Sequence, residues 1–270
     1  MDKRVGEIVE ATKLLSLSKA SLRKLAAEHG VELITDKEKI KEFKEKREKE
    51  WHKNLTDKLF QKKMRFFDSI SLWSGDEKIE FTFNDWDATK QKDVQQAKDI
   101  GNQCFSLAKK MLTDNFNVML MGKPGTGKTS LALAMLDAVH KKNKTTMFVS
   151  TMAFSLLLKK SFNDKNAKFQ VEKVSSAMKR ADVLLLDDFG TEGGMNSSPV
   201  YDELQNRLFD IADARIVKDK NTGKRLKSTI LTTNNSFEQF RGMYNEKILS
   251  RLIPHKAEQI VAFKNMEDVR

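Results

Sequence analysis

Short apolar runs alternate with helical patterns along the chain from about residue 80 onward. Five of these runs predict strands: NVMLM (117–121), TTMFVS (145–150), DVLLLD (182–187), STILTTN (228–234) and EQIVAF (258–263). The stretch SLALAMLDAVH (130–140) instead has the spacing of a helix. Continuous apolar runs indicate strands that are buried on both faces. We therefore predict an α/β fold, in which helices cover both faces of a parallel sheet.

The pattern before residue 75 is different, because it is helical and rich in charge. Leu15–Leu33 predicts a short helix that starts at Ser18 or Ser21 and ends at Gly30. The apolar face of that helix comprises Leu22, Leu25 and Ala26. This change of pattern predicts a small helical region over residues 1–75 and an α/β domain over residues 76–270.

The segment 36–67 alternates acidic and basic residues at the i,i+4 distance, which stabilises an exposed helix. Its apolar residues are sparse: Ile40, Phe43, Trp51, Leu55, Leu59 and Phe60. Two interpretations remain open, a solvated helical linker and a helix that docks on a partner protein.

The composition narrows the classes of protein to which this chain can belong. The sequence has 49 Lys and Arg against 38 Asp and Glu, a net charge of +11, which is typical of proteins with a polyanionic partner. Its single cysteine, Cys104, argues against a disulfide within the chain and against a zinc site of two or four cysteines. No run approaches the ~18 apolar residues of a membrane span, and no apolar signal core follows Met1. We expect a cytoplasmic protein.

The stretch GKPGTGKT has the spacing of a phosphate-binding loop between a strand and a helix. Glycines let successive backbone N–H groups turn inward toward phosphates, and the following helix adds the positive end of its dipole. Lys128 is expected to reach the β- and γ-phosphates of ATP, and the Thr129 hydroxyl to bind Mg²⁺. The predicted nucleotide-binding residues are Gly122, Lys123, Pro124, Gly125, Thr126, Gly127, Lys128, Thr129 and Ser130.

Two adjacent acids end the apolar run ADVLLLDD, at the edge where open α/β sheets bind ligands. Asp187 is expected to hold Mg²⁺, directly or through water. Asp188 is placed to orient or deprotonate the attacking water. At the end of the next run, Asn234 is the candidate for a residue that senses the γ-phosphate, with Thr233 and Asn235 as alternatives.

Arg251 lies on a helical pattern that Pro254 ends. Two interpretations of this arginine are open. It is either a surface residue paired with a nearby acid or a finger that reaches the nucleotide bound by a neighbouring subunit.

Together the motifs GKPGTGKT, VLLLDDFG, TILTTNN and ILSRL resemble the core of an AAA+ ATPase. Within that superfamily the chain is most similar to the DnaC/DnaI helicase loaders of bacteria and phages and to their relative IstB, over residues 78–265. The resemblance implies that Asp187 and Asp188 are the Walker B acids. It also implies that Asn234 is the sensor and Arg251 the finger acting in trans.

Two departures limit this resemblance. Loaders of the DnaI type carry a zinc module held by cysteines, which this sequence does not supply. Few residues follow Arg251, so we expect no C-terminal helical lid, in agreement with the loaders. The expected fold is an AAA+ core without a lid, preceded by a small helical domain.

Two basic stretches are candidates for binding single-stranded DNA, LLLKKSFNDKNAK and RIVKDKNTGKRLK. In the second, Asn221–Gly223 predicts a turn. Phe154 and Phe162 are the candidates for stacking on bases. The candidate DNA contacts are Lys159, Lys160, Lys218, Lys220, Lys224 and Arg225.

The sequence thus predicts an ATPase with ATP and Mg²⁺ as cofactors, and a helicase loader in DNA replication. Its expected partners are a replicative helicase, single-stranded DNA and further copies of the chain, joined through Arg251 when ATP is bound. Three alternatives remain: an IstB-like transposition ATPase, a regulator that binds the helicase without hydrolysis, and a nucleoside kinase. The kinase lacks support, since no acceptor-binding arginine cluster is evident.

Overall fold

The computed structural model describes residues 37–75, 77–194 and 196–268, together with Ser21, Lys24, Ala27, Glu28 and Gly30. Among the last five, the first four are helical and Gly30 lies in a turn with φ 63°. The rest of the helix predicted over Leu15–Leu33 lies outside the described residues, including Ser18, Leu22, Leu25 and Ala26.

The chain divides into two compact units, Met1–Leu59 and Phe60–Arg270. The helix predicted over 36–67 is α1 (Lys37–Ile70). Residues 60–75, which the sequence assigned to the amino-terminal region, belong to the second unit because Phe67 and Ile70 are buried in its core. No helix in the described part of the chain is long and apolar enough to cross a membrane.

The second unit alternates strands with helices, as the pattern predicts. Its helices are α2 (Val94–Lys110), α3 (Lys128–His140), α4 (Thr151–Ser161), α5 (Lys165–Arg180), α6 (Asp202–Arg215), α7 (Phe237–Met243) and α8 (Glu246–Leu252). Its strands are β1 (Asn117–Gly122), β2 (Thr146–Ser150), β3 (Val183–Asp187), β4 (Ser228–Thr233) and β5 (Ile260–Phe263). The run EQIVAF begins with a 3₁₀ turn, Ala257–Gln259, so its strand is shorter than predicted.

The five strands form one parallel sheet in the order β2-β3-β4-β1-β5. Successive residues of a strand point to opposite faces, and both faces are apolar here. Val183 and Leu185 of β3 pack on the face covered by α2 and α3. Leu184 and Leu186 pack on the other face, with α4 to α8 and the end of α1. This confirms the parallel sheet between two helical layers.

A parallel sheet has all its carboxyl ends at one edge, and the phosphate loop and both acids lie there. The opposite, amino-terminal edge carries Asn117 and a short hairpin closed by the bridge between Lys218 and Arg225. The phosphate loop and the start of β4 therefore lie at opposite ends of the strands. We call the side of the sheet with the carboxyl ends of the strands the nucleotide edge, and the side with their amino ends the amino-terminal edge.

Candidate active site

The phosphate loop turns at two glycines with positive φ, Gly125 (75°) and Gly127 (89°). L-amino acids with a side chain rarely adopt this conformation, which explains the glycine spacing. Helix α3 begins at Lys128, so its amino-terminal N–H groups point into the loop. Lys128 is buried, and its Nζ donates to the Lys123 carbonyl at 2.6 Å. The Lys128 ammonium therefore lies against the backbone of the phosphate loop.

The indole of Trp86 lies against this loop. A Cβ at Gly127 would lie 2.6 Å from the Trp86 ring, and one at Gly101 of α2 would lie 2.9 Å from it. The indole Nε1 donates to the Ala97 carbonyl at 3.1 Å. Trp86 is therefore clamped between α2 and the phosphate loop, and both glycines are needed for steric reasons.

The two residues predicted to hold magnesium are in contact. Thr129 Oγ1 donates to Asp187 Oδ1 at 2.9 Å, and Thr232 Oγ1 donates to the same oxygen at 2.6 Å. Burial raises the pKa of Asp187, while the two hydroxyls and Lys128 act to lower it. The buried Asp187 carboxylate and the Thr129 hydroxyl beside the phosphate loop supply the hard oxygen ligands that Mg²⁺ prefers. Thr129 and Asp187 are therefore the residues that would hold a magnesium ion.

Asp188 follows in a left-handed conformation with φ 52°, which is uncommon for a residue with a side chain. Its backbone N–H donates to Thr232 Oγ1 at 2.8 Å, and the Phe189 N–H donates to the Thr232 carbonyl at 2.9 Å. These bonds to β4 hold the chain in the turn that directs Asp188 away from the strand. Such strain is often retained where it positions a functional group.

A cavity of about 590 Å³ opens beside Thr129 and Asp187. Trp73 and Phe148 form an aromatic wall of it, with their rings stacked at 3.9 Å between centroids. Cavities of this size hold small ligands.

Asn234 is exposed and directly follows β4 at the nucleotide edge, which agrees with a sensor position. Its neighbour Asn235 turns toward the acids, since a Cβ at Gly190 would lie 2.6 Å from Asn235 Oδ1. Thr233 Oγ1 donates to the Phe189 carbonyl at 2.7 Å. The assignment of the sensor to Asn234 stays a prediction.

Arg251 is distant from the phosphate loop of its own chain. Its carbonyl accepts a bond from Asn117 Nδ2 at 2.7 Å, at the amino-terminal start of β1. The loop follows the other end of β1, roughly 16 Å away at ~3.3 Å per residue. The guanidinium donates to Asp213 Oδ1 at 2.7 Å and lies 4.5 Å from the Phe209 ring centroid. Arg251 is thus paired with an acid and placed on the edge opposite the site.

The candidate DNA contacts fall into two groups. Lys159 and Lys160 are exposed on α4, which begins at the nucleotide edge. Lys218, Lys220 and Lys224 are exposed on the hairpin at the opposite edge.

Two of the residues proposed to contact DNA, Phe154 and Arg225, are less exposed than such a contact requires. Phe154 is fully buried, so its assignment to base stacking is wrong, whereas Phe162 is 61% exposed. Arg225 is half-buried and donates to Asn117 Oδ1 at 3.1 Å. Any DNA contact by Arg225 must preserve or replace this bond.

The sequence analysis missed a carboxylate beside the acids, Glu192. It accepts bonds from Thr151 Oγ1 (3.0 Å), the Gly190 N–H (3.1 Å) and the Tyr244 hydroxyl. Burial raises its pKa, and burial also raises the pKa of Tyr244. Only the fold brings these residues together, so the position of Glu192 soon after the acids was the sole signal available.

A second missed element follows β5. The buried Gln91 side chain makes two hydrogen bonds with the backbone of Glu267. Its Nε2 donates to the Glu267 carbonyl at 3.0 Å, and its Oε1 accepts from the Glu267 N–H at 2.8 Å. The next residue, Asp268, lies over the phosphate loop: a Cβ at Gly125 would be 2.0 Å from its Oδ1. We call the segment of Met266, Glu267 and Asp268 the strap; Met266 is buried, whereas Glu267 and Asp268 are exposed.

Comparison with known proteins agrees with this geometry. The family model described as IstB-like ATP binding protein matches residues 7–265. The chain is 24% identical over 157 residues to the replicative helicase loader DnaC of Buchnera aphidicola subsp. Baizongia pistaciae, covering 56% of this chain and 58% of that protein. It is 28% identical over 141 residues to an ATP-binding protein of insertion sequence IS21 from Pseudomonas aeruginosa, covering 51% of this chain and 45% of that protein.

The chain thus spans about half the length of the curated relatives it matches. A crystal structure of a DNA replication initiation factor superposes with a TM-score of 0.50 at 16% identity, over 70% of this chain and 50% of that one, which supports the fold alone. The phosphate loop, the paired acids and the family match lead to one conclusion. The chain belongs to the family of IstB-like ATP-binding proteins.

Proposed function

We propose that the protein is an ATPase that loads a replicative helicase onto single-stranded DNA. The observation that carries this proposal is the contact between Thr129 and Asp187 beside a strained Asp188, on a sheet whose opposite edge presents Arg251. The acids and Arg251 lie at opposite ends of the strands of one chain, so Arg251 can reach only the site of another copy. This arrangement suits ATP hydrolysis at the contact between two subunits. The phosphate loop would then control assembly and release.

Each residue has a distinct task in this mechanism. The N–H groups of the loop and Lys128 bind the phosphates. Thr129 and Asp187 would hold Mg²⁺, which supplies charge stabilisation for the departing phosphate. Asp188 orients the attacking water and accepts its proton, and Asn234 contacts the γ-phosphate from the end of β4. Arg251 of a neighbouring copy completes the site.

The proposed partners rest on chemistry and on relatives. One relative is named as a replicative helicase loader. The net charge of +11 and the exposed Lys159, Lys160 and Phe162 suit a flexible polyanion, because lysines bind phosphates and aromatic rings stack on bases. The strip of exposed apolar residues on α1, Phe43, Trp51, Leu55 and Leu59, is available to a protein partner.

Asp188→Asn tests the catalytic assignment. The amide cannot accept the proton of water, so we expect ATP turnover to fall by about 10² to 10⁴, with the dissociation constant for ATP little changed. Turnover is measured as phosphate release and affinity by calorimetry. Asp210→Asn is the matched control, because Asp210 is an exposed acid paired with Lys179. Unchanged turnover in Asp188→Asn would remove Asp188 from the reaction.

The helicase assignment is tested by native mass spectrometry of the protein with a hexameric replicative helicase, with and without ATP and Mg²⁺. We expect a defined complex whose stability depends on ATP. A complex that ignores ATP and survives Asp188→Asn would indicate the non-hydrolysing regulator instead.

A second candidate is an ATPase that delivers a transposase to target DNA. The match to an IS21 ATP-binding protein supports it. If no helicase complex forms under any condition but ATP turnover rises with DNA, this candidate replaces the loader.

A further inference from the structure

Glu192 is a carboxylate that the proposed reaction does not use, although it lies close to the acids. The residue belongs to the 3₁₀ turn Thr191–Gly193 and is half-buried. All its bonding partners lie on the protein side: one oxygen takes Thr151 Oγ1 and the Gly190 N–H, and the other takes the Tyr244 hydroxyl. Buried carboxylates are costly unless they are paired in this way. Their retention beside a reaction site points to a positioning task.

The hydrogen bonds of Glu192 form a network with two sides, one through Thr151 and Gly190 and one through Tyr244. The first side contacts the turn that contains Asp188. Thr151 Oγ1 lies 3.0 Å from the Asp188 carbonyl and 3.2 Å from the Asp187 carbonyl, as well as 3.0 Å from Glu192. Glu192 also fixes Gly190, whose φ of 100° and close contact with Asn235 leave no room for a side chain. The Thr151 hydroxyl has one hydrogen, so it bonds either Glu192 or a carbonyl of the acids at a time, whereas the Gly190 N–H bond to Glu192 is independent of it. The turn that contains Asp188 is therefore held by Thr232 from the β4 side and by Glu192 through Gly190.

The second side of the network leads to Arg251. Tyr244 is buried, stacks on Phe189 at 4.6 Å between centroids and bonds Glu192. The next residue, Asn245, caps α8 by accepting the Lys247 N–H at 2.9 Å. Arg251 lies two turns along this helix, and its guanidinium meets Asp213. One tyrosine thus joins the loop of the acids to the start of the helix that carries the finger.

We propose that Glu192 is a positioning residue for ATP hydrolysis, which holds Asp188 in its turn and, through Tyr244, sets the helix that offers Arg251 to the next subunit. The state of one site is thereby linked to the finger presented to its neighbour. The part concerning Arg251 rests on the proposed action of that residue in trans, whereas the part concerning Asp188 does not.

Tyr244→Phe is the informative variant, since it keeps the ring on Phe189 and removes only the hydroxyl. We expect kcat to fall about tenfold or more because the acid is misplaced, while the dissociation constant for ATP stays nearly unchanged. The melting temperature should fall by only a few degrees, since one donor to a carboxylate is lost. Tyr201→Phe is the matched control, because its hydroxyl donates to the Ser155 carbonyl and not to Glu192. Equal kcat in the two tyrosine variants would overturn the proposal.

Glu192→Gln supplies an independent check through a double-mutant cycle. Because both substitutions disrupt the same bond, the combined variant should lose little more kcat than the more damaging single variant. Fully additive losses would show that the two residues act separately and would contradict the proposal.

Mixed subunits separate the two sides of the network. A Lys128→Ala chain offers a finger but has no working site, and an Arg251→Ala chain has a site but no finger. Mixing them should restore turnover if the finger acts in trans. Adding Tyr244→Phe to the first chain tests the finger side, and adding it to the second tests Asp188. We expect each addition to lower the recovered turnover severalfold.

The outcomes of the mixing experiment are distinct. Recovery that is indifferent to Tyr244→Phe in the finger chain would overturn the link to Arg251. Absence of recovery in the parent mixture would contradict the trans finger of the proposed function. The kcat of Tyr244→Phe alone would then still decide whether Glu192 positions Asp188.

Discussion

Two side chains of opposite character meet the phosphate loop. Trp86 packs on Gly127 from the side of α2, and Asp268 lies over Gly125 from the strap. The contact with Trp86 is steric and apolar, which supports the shape of the loop. The contact with Asp268 places a negative charge where phosphates must bind, so the carboxylate and the phosphates of a nucleotide repel each other.

Asp268→Asn removes that charge and keeps the size of the side chain. We expect ATP and ADP to bind about three- to tenfold more tightly, because two charges interact by ~1 kcal/mol or more at short range in a partly solvated site. Calorimetry at two salt concentrations measures the gain, which should shrink as salt rises. Glu267→Gln, an exposed neighbour, is the control. Weaker binding by Asp268→Asn would instead make this carboxylate a ligand of the nucleotide complex.

The sequence predicted the positions of the phosphate loop and of the two acids at the ends of their strands, because those residues are contiguous and their spacing follows from backbone geometry. Their roles stay predictions. It could not pair Glu192 with Tyr244 or Asp268 with Gly125, since these contacts depend on how distant segments pack. Phe154 was misassigned from its basic neighbours. Its spacing of four residues from Leu158, which is also buried, was the available sign of a core position.

At the scale of elements, one arginine joins the helical layer to the amino-terminal edge of the sheet. Arg215 ends α6 and is 1% exposed. Its Nε donates to Thr229 Oγ1 at 3.0 Å, and Nη1 donates to the carbonyls of Met178 (2.6 Å) and Ala181 (2.8 Å). Nη2 donates to the Ser228 carbonyl. The guanidinium fork therefore fastens the end of α5 and the start of β4 to α6.

Replacing Arg215 by Met would fill similar space but leave these carbonyls without their donors. An unsatisfied buried polar group costs about 1–3 kcal/mol, so we expect the free energy of unfolding to fall by at least ~3 kcal/mol. Urea denaturation followed by circular dichroism measures the loss. The exposed Arg180→Met should change stability by less than ~1 kcal/mol. A similarly small loss in Arg215→Met would show that water replaces the missing donors.

The elements themselves were well predicted, because three of the five strands, β1, β2 and β3, contain continuous apolar runs that are buried on both faces. The boundaries of β5 were less certain from sequence. Ala257–Gln259 forms a 3₁₀ turn before the strand, and nothing in EQIVAF distinguishes a turn from an extended start. The hairpin that precedes β4 follows from Asn221–Gly223, where Gly223 has φ 65°.

At the scale of the whole molecule, the separation of Arg251 from the phosphate loop has a functional meaning. A finger at the amino-terminal edge has no access to the site of its own chain, so the proposed reaction needs a head-to-tail arrangement of copies. The Asn117 side chain bonds two arginines: its Nδ2 donates to the Arg251 carbonyl, and its Oδ1 accepts from Arg225 of the hairpin. Asn117, at the start of the strand that leads into the phosphate loop, thus also holds the two arginines on the surface that we propose faces a neighbouring copy.

Arg251→Ala should leave ATP binding intact and lower DNA-stimulated hydrolysis by about 10³ or more, the usual contribution of an arginine finger. Turnover and affinity are measured as for the acid variants. Arg207→Ala is the matched control, because Arg207 lies on α6 and pairs with Glu172 and Glu203 on the surface. Full activity in Arg251→Ala would leave this arginine as a partner of Asp213 only.

The position of Trp86 has one more consequence. Indole emission depends strongly on the polarity and motion of its surroundings, and this ring touches the glycine at which the phosphate loop enters α3. Any rearrangement of the loop must change the environment of the ring. Trp86 is therefore an intrinsic fluorescent probe of the nucleotide edge. In a chain where Trp51 and Trp73 are replaced, the emission wavelength of Trp86 reports the state of the loop without an added dye.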